Sequence, residues 1–206
     1  MKKKSFHVPA IGLLALAVAA PTTTKAGQCD TAGFSPLPDV ALQSITKMNE
    51  PKPHCRVVGV IGTETGFELL LPDDWNGKFV MGGGGGFSGD FNNAALSLGP
   101  AGIIADGWAT VTTDTGHKGN GIVATWALNN LERQVSFGFQ AVHRTAVTSK
   151  AIIAGYYGSE IQRNIFFGCS RGGGQAMMLA QRSPDLFEGI YAGAPAYSWT
   201  REMAGR

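Results

Sequence analysis

The sequence has few charged residues and only one long apolar run, and both shortages restrict what the chain can bind. Charged residues make up 16% of its 206 residues, and the formal net charge is +2. No stretch concentrates Lys and Arg into the basic stripe that nucleic-acid binding requires. No apolar run follows the one near the N-terminus, so we expect no stable insertion into a membrane. The length allows one domain with a sizeable hydrophobic core.

The one long apolar run lies in an N-terminal segment that is typical of a secretory signal peptide. Three lysines at residues 2–4 precede Ile11 to Ala20, Pro21 ends the run, and Ala26 offers a small residue for cleavage. The alternative is a membrane anchor, for which the run is short. We therefore predict that residues 1–26 are a signal peptide and that the protein is secreted or periplasmic. Cleavage would remove 26 of 206 residues and four lysines, leaving 180 residues with a formal charge of −2.

Only three cysteines are present, Cys29, Cys55 and Cys169. Export exposes them to an oxidising compartment, where disulfides form. Cys29 and Cys55 can close a modest loop that ties the N-terminus to a strand. Cys169 then has no partner, and an odd cysteine in an exported protein indicates a missing partner, an intermolecular bond or a free thiol.

The order of apolar and turn-forming segments predicts an α/β fold. We expect strands at residues 56–62, 67–71, 78–81, 108–113, 165–167 and 189–192. We expect helices at residues 39–48, 94–105, 139–157 and 175–182, the first capped by Asp39 and the second interrupted by Gly99-Pro100. Strands that alternate with helices favour a mostly parallel sheet with flanking helices.

The stretch with the clearest chemical meaning reads Asn-Ile-Phe-Phe-Gly-Cys-Ser-Arg-Gly-Gly-Gly and contains Ser170. A strand, a Gly-x-Ser-x-Gly turn and a helix in this order are typical of a nucleophile elbow. Gly168 and Gly172 leave room for a strained serine backbone. The turn would also direct the backbone N–H of Arg171 toward a developing oxyanion. The alternative is a glycine-rich turn without catalytic meaning.

Five consecutive glycines, Gly82 to Gly86, follow the strand at residues 78–81. A phosphate loop would end in Gly-Lys-Ser/Thr, which is absent here, and a match to a dinucleotide fingerprint is weak because a glycine run fits almost any spacing. The third interpretation is an oxyanion loop, whose backbone N–H groups must approach a substrate oxygen closely. We favour this interpretation, with Gly85 or Gly86 as the donor.

With these motifs, the chain resembles the tannase and feruloyl esterase family of α/β hydrolases. The matching stretches are Leu71 to Phe79, Gly83 to Gly89, Thr113 to His117 and Ala180 to Ala196, in the family's order. The resemblance covers nearly all of the chain from about Cys29 to Trp199. It implies an α/β-hydrolase fold and a serine carboxylic ester hydrolase that forms an acyl-enzyme. It further implies small-molecule substrates, namely esters of phenolic or other aromatic acids.

The resemblance also bears on the cysteines and on metal ions. In the family, the cysteine before the nucleophile is disulfide-bonded to a cysteine just after the catalytic histidine, and Cys169 occupies the first of these positions. Cys29 and Cys55 are then expected to pair with each other. The resemblance implies no cofactor and no metal ligand in this part of the chain, because the family's Ca²⁺ site would lie in a lid domain beyond Arg206.

The chain departs from the family in its histidines and acids. An α/β hydrolase supplies its triad in the order Ser, Asp/Glu, His, but all four histidines precede Ser170, and Asp185 is placed at the wrong edge of the sheet. We therefore expect residues 27–206 to be the N-terminal part of such a domain, truncated before the lid and the last strands. The expected function is an ester hydrolase that is incomplete as it stands. The alternative is a non-catalytic remnant or binding module that keeps the pocket.

Three other residues could contribute to the site. Asp114 and His117 could replace the missing acid and base, but we favour a hydrogen-bonding motif that stabilises their loop, since a base must lie within about 3 Å of the nucleophile. The side chain of Arg171 could contact an acidic substrate or be solvated, and the sequence does not favour either. His143 is expected to be an ordinary residue of the long helix.

Overall fold

A seven-stranded sheet forms the centre of the computed structural model, which describes residues 27–204. The strands are β1 Val40–Met48, β2 His54–Ile61, β3 Thr65–Pro72, β4 Lys78–Gly82, β5 Ala109–Thr113, β6 Arg163–Cys169 and β7 Gly189–Gly193. The α-helices are α1 Leu131–Val135, α2 Ala141–Tyr157, α3 Arg171–Arg182 and α4 Trp199–Ala204. A π-helical turn at Ser136–Gln140 joins α1 to α2, and 3-10 turns lie at Thr31–Gly33, Thr125–Ala127 and Pro184–Leu186.

The strand order is β1-β2-β3-β5-β4-β6-β7. Three strand pairs are antiparallel, namely β1–β2, β2–β3 and β3–β5. The other three are parallel, namely β4–β5, β4–β6 and β6–β7. The carboxyl ends of the four parallel strands therefore meet at one edge of the sheet. In open α/β sheets, ligands bind at that edge.

The segment at residues 39–48 was predicted to be a helix, and this prediction is wrong. Val40–Met48 is a strand, and its ladder with β2 runs from Val40 opposite Ile61 to Met48 opposite His54. Asp39 is at a φ of 63°, which suits a turn into the strand rather than a helix cap. The local sequence is compatible with either state, and pairing with a distant strand decides between them.

The predicted helix at residues 94–105 is also absent, and a series of turns takes its place. Gly99 and Gly102 have φ values of 81° and 89°, which a helix cannot contain. The apolar residues of this segment still serve the core. Ala95, Ile103 and Ile104 cover one face of the sheet, where Leu70 and Val80 point.

The larger core lies on the opposite face of the sheet, under α2. The residues adjacent to Leu70 in β3 point to this face, where they meet the apolar side of the helix. Its members from β3, β4, β6 and α2 are Phe67, Leu69, Leu71, Phe79, Met81, Phe166, Val142, Ala146, Ile152, Ile153, Tyr156 and Tyr157. The predicted helix at residues 139–157 is confirmed, except that its first residues belong to the π-helical turn.

A disulfide joins Cys29 to Cys55, as predicted, with their Cα atoms 5.5 Å apart. The N–H of Gly27 donates to the carbonyl of Tyr156 at 2.9 Å, so the start of the described chain is held against α2. Cys169 is a free, exposed thiol. The predicted signal peptide at residues 1–26 lies outside the described residues. Between residues 27 and 204, no helix combines the length and the apolar character needed to cross a membrane.

Candidate active site

Ser170 lies between β6 and α3 with a φ of 57° and a ψ of −122°. Non-glycine residues rarely adopt this conformation, and it costs about 1–3 kcal/mol unless the surrounding structure enforces it. The serine and Cys169 are both exposed at the carboxyl edge of the parallel strands. The strand, strained turn and helix that the sequence predicts are therefore present.

The glycines on both sides of the serine are sites of close backbone approach. A Cβ at Gly168 would lie 2.1 Å from the carbonyl oxygen of Gly172, a contact that no side chain tolerates. A Cβ at Gly172 would lie 3.1 Å from the carbonyl oxygen of Gly84 and 3.2 Å from Gly83. The first α-helical turn after Ser170 thus packs directly on the glycine run, where a side chain at Gly172 would be tightly crowded.

The glycine run is hydrogen-bonded at its start, whereas two later backbone N–H groups have no hydrogen bond in the described chain. The N–H of Gly83 donates to Phe167 at 2.9 Å, and that of Gly84 donates to Oε1 of buried Gln175 in α3 at 3.2 Å. Among the described residues, the N–H groups of Gly85 and Gly86 have no acceptor. These are the two amides that the sequence singles out as oxyanion donors.

The chain after β7 supports the elbow from the other side. The N–H of Ser170 donates to Gly193 at 3.1 Å, and its carbonyl accepts from Ala196 at 2.9 Å. A Cβ at Gly173 would lie 2.4 Å from the carbonyl oxygen of Gly193, so this contact is also between backbones. The backbone of Ser170 is therefore fixed on both sides, while no hydrogen bond holds its hydroxyl within residues 27–204.

Asp114 and His117 do not form an acid–base pair. Oδ1 of buried Asp114 accepts from the N–H groups of Gly66 and Gly116, both at 2.9 Å, and Oδ2 lies 2.8 Å from Lys118 Nζ. Burial raises the pKa of this carboxyl, and the bond with Lys118 opposes the increase. These contacts support the interpretation that Asp114 stabilises its loop.

His117 is committed to aromatic packing. Its ring stacks on Trp126 with centroids 3.7 Å apart and meets the edge of Phe137 at 6.2 Å. Burial lowers the pKa of His117, with a smaller contribution from Arg133, so the ring is neutral at pH 7. No hydrogen bond joins it to Asp114 or Ser170 in the described part of the chain.

The other two described histidines also serve local structure. Nδ1 of buried His54 lies 2.8 Å from the carbonyl oxygen of Lys52, and Nδ1 of His143 lies 3.1 Å from Ser183 Oγ. His7 lies outside the described residues. None of the described histidines is therefore placed as the base for Ser170.

The side chain of Arg171 is buried, so it is not the solvated residue that one interpretation of the sequence allowed. It is 7% exposed and packs on Phe137 and Trp199. Burial lowers the pKa of its guanidinium, which still stays protonated at neutral pH. Sequence reasoning missed this aromatic surrounding, because its members come from segments that are far apart in the chain.

Between residues 27 and 204, no three side chains of His, Cys, Asp or Glu come together in a way that could hold a metal ion.

Comparison with known sequences identifies relatives over most of the chain. A family model described as tannase and feruloyl esterase matches residues 52–204. Mono(2-hydroxyethyl) terephthalate hydrolase of Piscinibacter sakaiensis is 35% identical over 162 residues, which cover 70% of this chain and 27% of the relative. A probable feruloyl esterase of Arthroderma benhamiae is 41% identical over 138 residues, which cover 64% of this chain and 25% of the relative.

Solved structures agree with this assignment of the fold. An esterase from Aspergillus oryzae matches with a TM-score of 0.76 and 25% identity, covering 86% of this chain and 39% of that one. Feruloyl esterase B from Aspergillus oryzae matches with a TM-score of 0.68 and 26% identity, covering 80% of this chain and 36% of that one. The predicted α/β-hydrolase fold is confirmed. The chain spans about a quarter of the length of the curated relatives it matches.

Proposed function

The chain belongs to the tannase and feruloyl esterase family, and from this premise we propose that it carries the nucleophile and the oxyanion donors of a serine carboxylic ester hydrolase. The proposed substrates are small esters of phenolic or other aromatic acids, in keeping with the names of its relatives. The observation that carries the proposal is the strained backbone of Ser170, with φ at 57° in a turn flanked by Gly168 and Gly172, both at close backbone contacts.

In this proposal, each part of the turn has a chemical role. Ser170 Oγ attacks the ester carbonyl and forms an acyl-enzyme, with the alcohol as the leaving group. The N–H of Arg171 and one N–H from Gly85 or Gly86 donate to the oxyanion of the tetrahedral intermediate. The support for these roles is that both glycine amides have no acceptor in the described part of the chain, and that the glycine run packs against Gly172.

The proton of the serine hydroxyl needs an acceptor, and none is bonded to it among residues 27–204. His54, His117 and His143 are all engaged in other contacts. An unactivated serine alcohol reacts slowly, because loss of triad members costs orders of magnitude in rate. We therefore expect no more than trace esterase activity from these 206 residues. The same observation favours a second candidate, a binding module that retains the pocket without turnover.

An ester assay with matched serine variants tests the proposal. We expect the purified, monomeric chain to release p-nitrophenol from p-nitrophenyl acetate at a trace rate, and Ser170→Ala to abolish that rate. Ser44→Ala, which changes an exposed serine in β1, should leave it unchanged. A rate equal in wild type and Ser170→Ala would refute the nucleophile assignment.

Two further results of the same assay carry distinct meanings. Robust hydrolysis that depends on Ser170 would mean that another pair completes the site, and loss of that activity in His117→Ala would identify it. Binding of an aromatic ester without any turnover would favour the binding module.

We also propose that the protein works outside the cytoplasm, secreted or in the periplasm. The disulfide between Cys29 and Cys55 supports this location, because such bonds persist in oxidising compartments. Labelling of the oxidised protein with a thiol reagent should then modify Cys169 alone.

A further inference from the structure

Arg171 is a buried cation without a carboxylate partner. Its side chain is 7% exposed, yet it takes part in none of the ion pairs of the described residues. All fifteen Asp and Glu residues of the sequence lie between residues 30 and 202, within the described chain. No acidic side chain of these 206 residues therefore neutralises Arg171. A buried charge is costly unless it is paired, so this arrangement requires an explanation.

Arg171 has five N–H donors, and few of them are used in its contacts. Nη2 donates to the carbonyl oxygen of Phe137 at 3.3 Å, a long bond, and the buried Nε has no acceptor. The guanidinium carbon lies 4.6 Å from the ring centroid of Phe137 and 5.2 Å from that of Trp199. The centroids of these two rings lie 6.3 Å apart, and the ring planes are inclined to each other by 48°. The guanidinium therefore contacts two aromatic rings at once.

The surroundings favour an anion attached to an aromatic ring. Aromatic faces orient a guanidinium but do not satisfy its in-plane donors, which match the two oxygens of a carboxylate. Arg171 is also the first residue of the twelve-residue helix α3, whose N-terminus adds positive potential. A third ring, that of Phe87, lies beside this pair, with its centroid 5.2 Å from that of Trp199 and 6.1 Å from that of Phe137.

We propose that Arg171, together with Phe137 and Trp199, forms a subsite for the carboxylate group of an aromatic ligand. The carboxylate binds the edge of the guanidinium, and the ligand's ring packs beside Trp199 and Phe87. This subsite adjoins Ser170, so the inference rests on the proposed esterase function and narrows its substrates to esters that also carry a free aromatic carboxylate.

Access to Arg171 depends on α4. This helix of six residues, Trp199–Ala204, has no buried residue, and Trp199 itself is only half-buried. In this proposal, the ligand reaches the edge of the guanidinium where the Trp199 ring moves aside. Trp199 thus covers part of the proposed subsite from a helix that has no buried residue.

A titration with matched small molecules tests the subsite without requiring turnover. Benzoate is the probe, benzamide is its neutral counterpart of the same shape, and acetate is a carboxylate without a ring. We expect the unmodified chain to bind benzoate, as measured by NMR titration, at least about tenfold more tightly than the other two. Equal binding of benzoate and benzamide would overturn the proposal. Equal affinity for acetate and benzoate would also overturn it, because the site would then recognise any carboxylate, whether or not it is attached to an aromatic ring.

Variants locate the binding at Arg171. We expect Arg171→Gln to weaken benzoate binding at least about tenfold, and Arg171→Lys to weaken it less, because Lys keeps the charge but not the planar fork. Arg182→Gln is the matched control, since Arg182 lies on the same helix and over a ring, 4.8 Å from Phe139, but is exposed. Equal loss in Arg171→Gln and Arg182→Gln would refute the subsite.

Two additional measurements keep the outcomes separate. Circular dichroism of each variant shows whether it is folded. If Arg171→Gln does not fold, the comparison of the three probes on the unmodified chain still tests the proposal. Ser170→Ala should bind benzoate as the unmodified chain does. If the chain binds benzoate but hydrolyses no ester, the proposed esterase function fails and the subsite stands. If it hydrolyses esters but does not bind benzoate, the subsite fails alone.

Discussion

The turn at Thr115 and the turn at Ser170 both place a non-glycine residue at positive φ, 66° and 57°, at the carboxyl edge of the same sheet. The two turns treat their polar groups differently. At Thr115, the backbone N–H donates to Thr113 Oγ1 at 3.1 Å and the side-chain hydroxyl donates to the carbonyl of Asp114. At Ser170, the backbone is bonded on both sides, but the hydroxyl is left exposed and without a hydrogen bond in the described chain.

The difference separates strain that serves the fold from strain that presents a reactive group. The Thr115 turn is fully buried, and the carboxylate of Asp114 satisfies two amides around it. The Ser170 turn also has its backbone bonded to Gly193 and Ala196, yet the residue is exposed and its hydroxyl has no hydrogen bond in the described chain. Backbone strain alone is thus a weak indicator of function, and strain combined with an unused polar group is a stronger one.

The largest effect is expected from breaking the Ser170 turn at its closest contact. Gly168→Ala would place a Cβ 2.1 Å from the Gly172 carbonyl oxygen, and both sides of this contact are backbone. We expect a loss of about 3 kcal/mol or more in the free energy of unfolding, measured by urea denaturation. Gly155→Ala is the control, since its Cβ would meet nothing within 4 Å and it lies inside α2. It should be neutral or stabilising by up to about 1 kcal/mol. A mild Gly168→Ala phenotype would mean that the elbow can relax.

A smaller loss is expected when the Thr115 turn loses its carboxylate. Asp114→Ala removes the acceptor of the Gly66 and Gly116 amides, both of which are then buried without a partner. We expect a loss of about 2–3 kcal/mol in the free energy of unfolding. Asp114→Asn keeps a carbonyl oxygen at the same place and should lose less. If both variants lose the same amount, the ion pair with Lys118 rather than the amide bonds accounts for the effect.

The smallest effect directly tests the contrast between the two turns. Ser170→Gly relieves the strain at a φ of 57° without removing any hydrogen bond of the hydroxyl, so we expect a gain of about 1 kcal/mol in stability. Thr115→Gly relieves similar strain but removes the hydroxyl bond to Asp114, so we expect no gain. Thermal denaturation of both variants measures the difference. A gain in Thr115→Gly that matches the gain in Ser170→Gly would show that the two turns are strained for the same reason.

The parts of the fold that the sequence predicts well are those whose neighbours in the chain determine them. The elbow is an example, because Gly168, Ser170 and Gly172 lie within one turn and mark it in the sequence, although the distant Gly193 and Ala196 also hold its backbone. The strand at residues 78–81 and the helix at residues 139–157 have clear apolar patterns and were also found. The confirmed disulfide between Cys29 and Cys55 followed from the small number of cysteines and the family resemblance.

The parts that the sequence does not predict depend on long-range contacts. Val40–Met48 became a strand because β2 pairs with it along its whole length. The surroundings of Arg171 come from the π-helical turn and α4, which share no sequence motif with the elbow. A weak signal was available, since an arginine beside a nucleophile in a chain with few charges is unusual enough to question.

The hydrogen bond from the Gly84 N–H to Gln175 has a mechanical consequence. Gln175 belongs to α3, the helix that starts immediately after Ser170, and it is 2% exposed. The start of the glycine run is therefore hydrogen-bonded to the helix that begins at the proposed nucleophile. Such a linkage would fix the proposed oxyanion donors relative to the serine. The donor geometry would then not need to be rebuilt each time a ligand arrives.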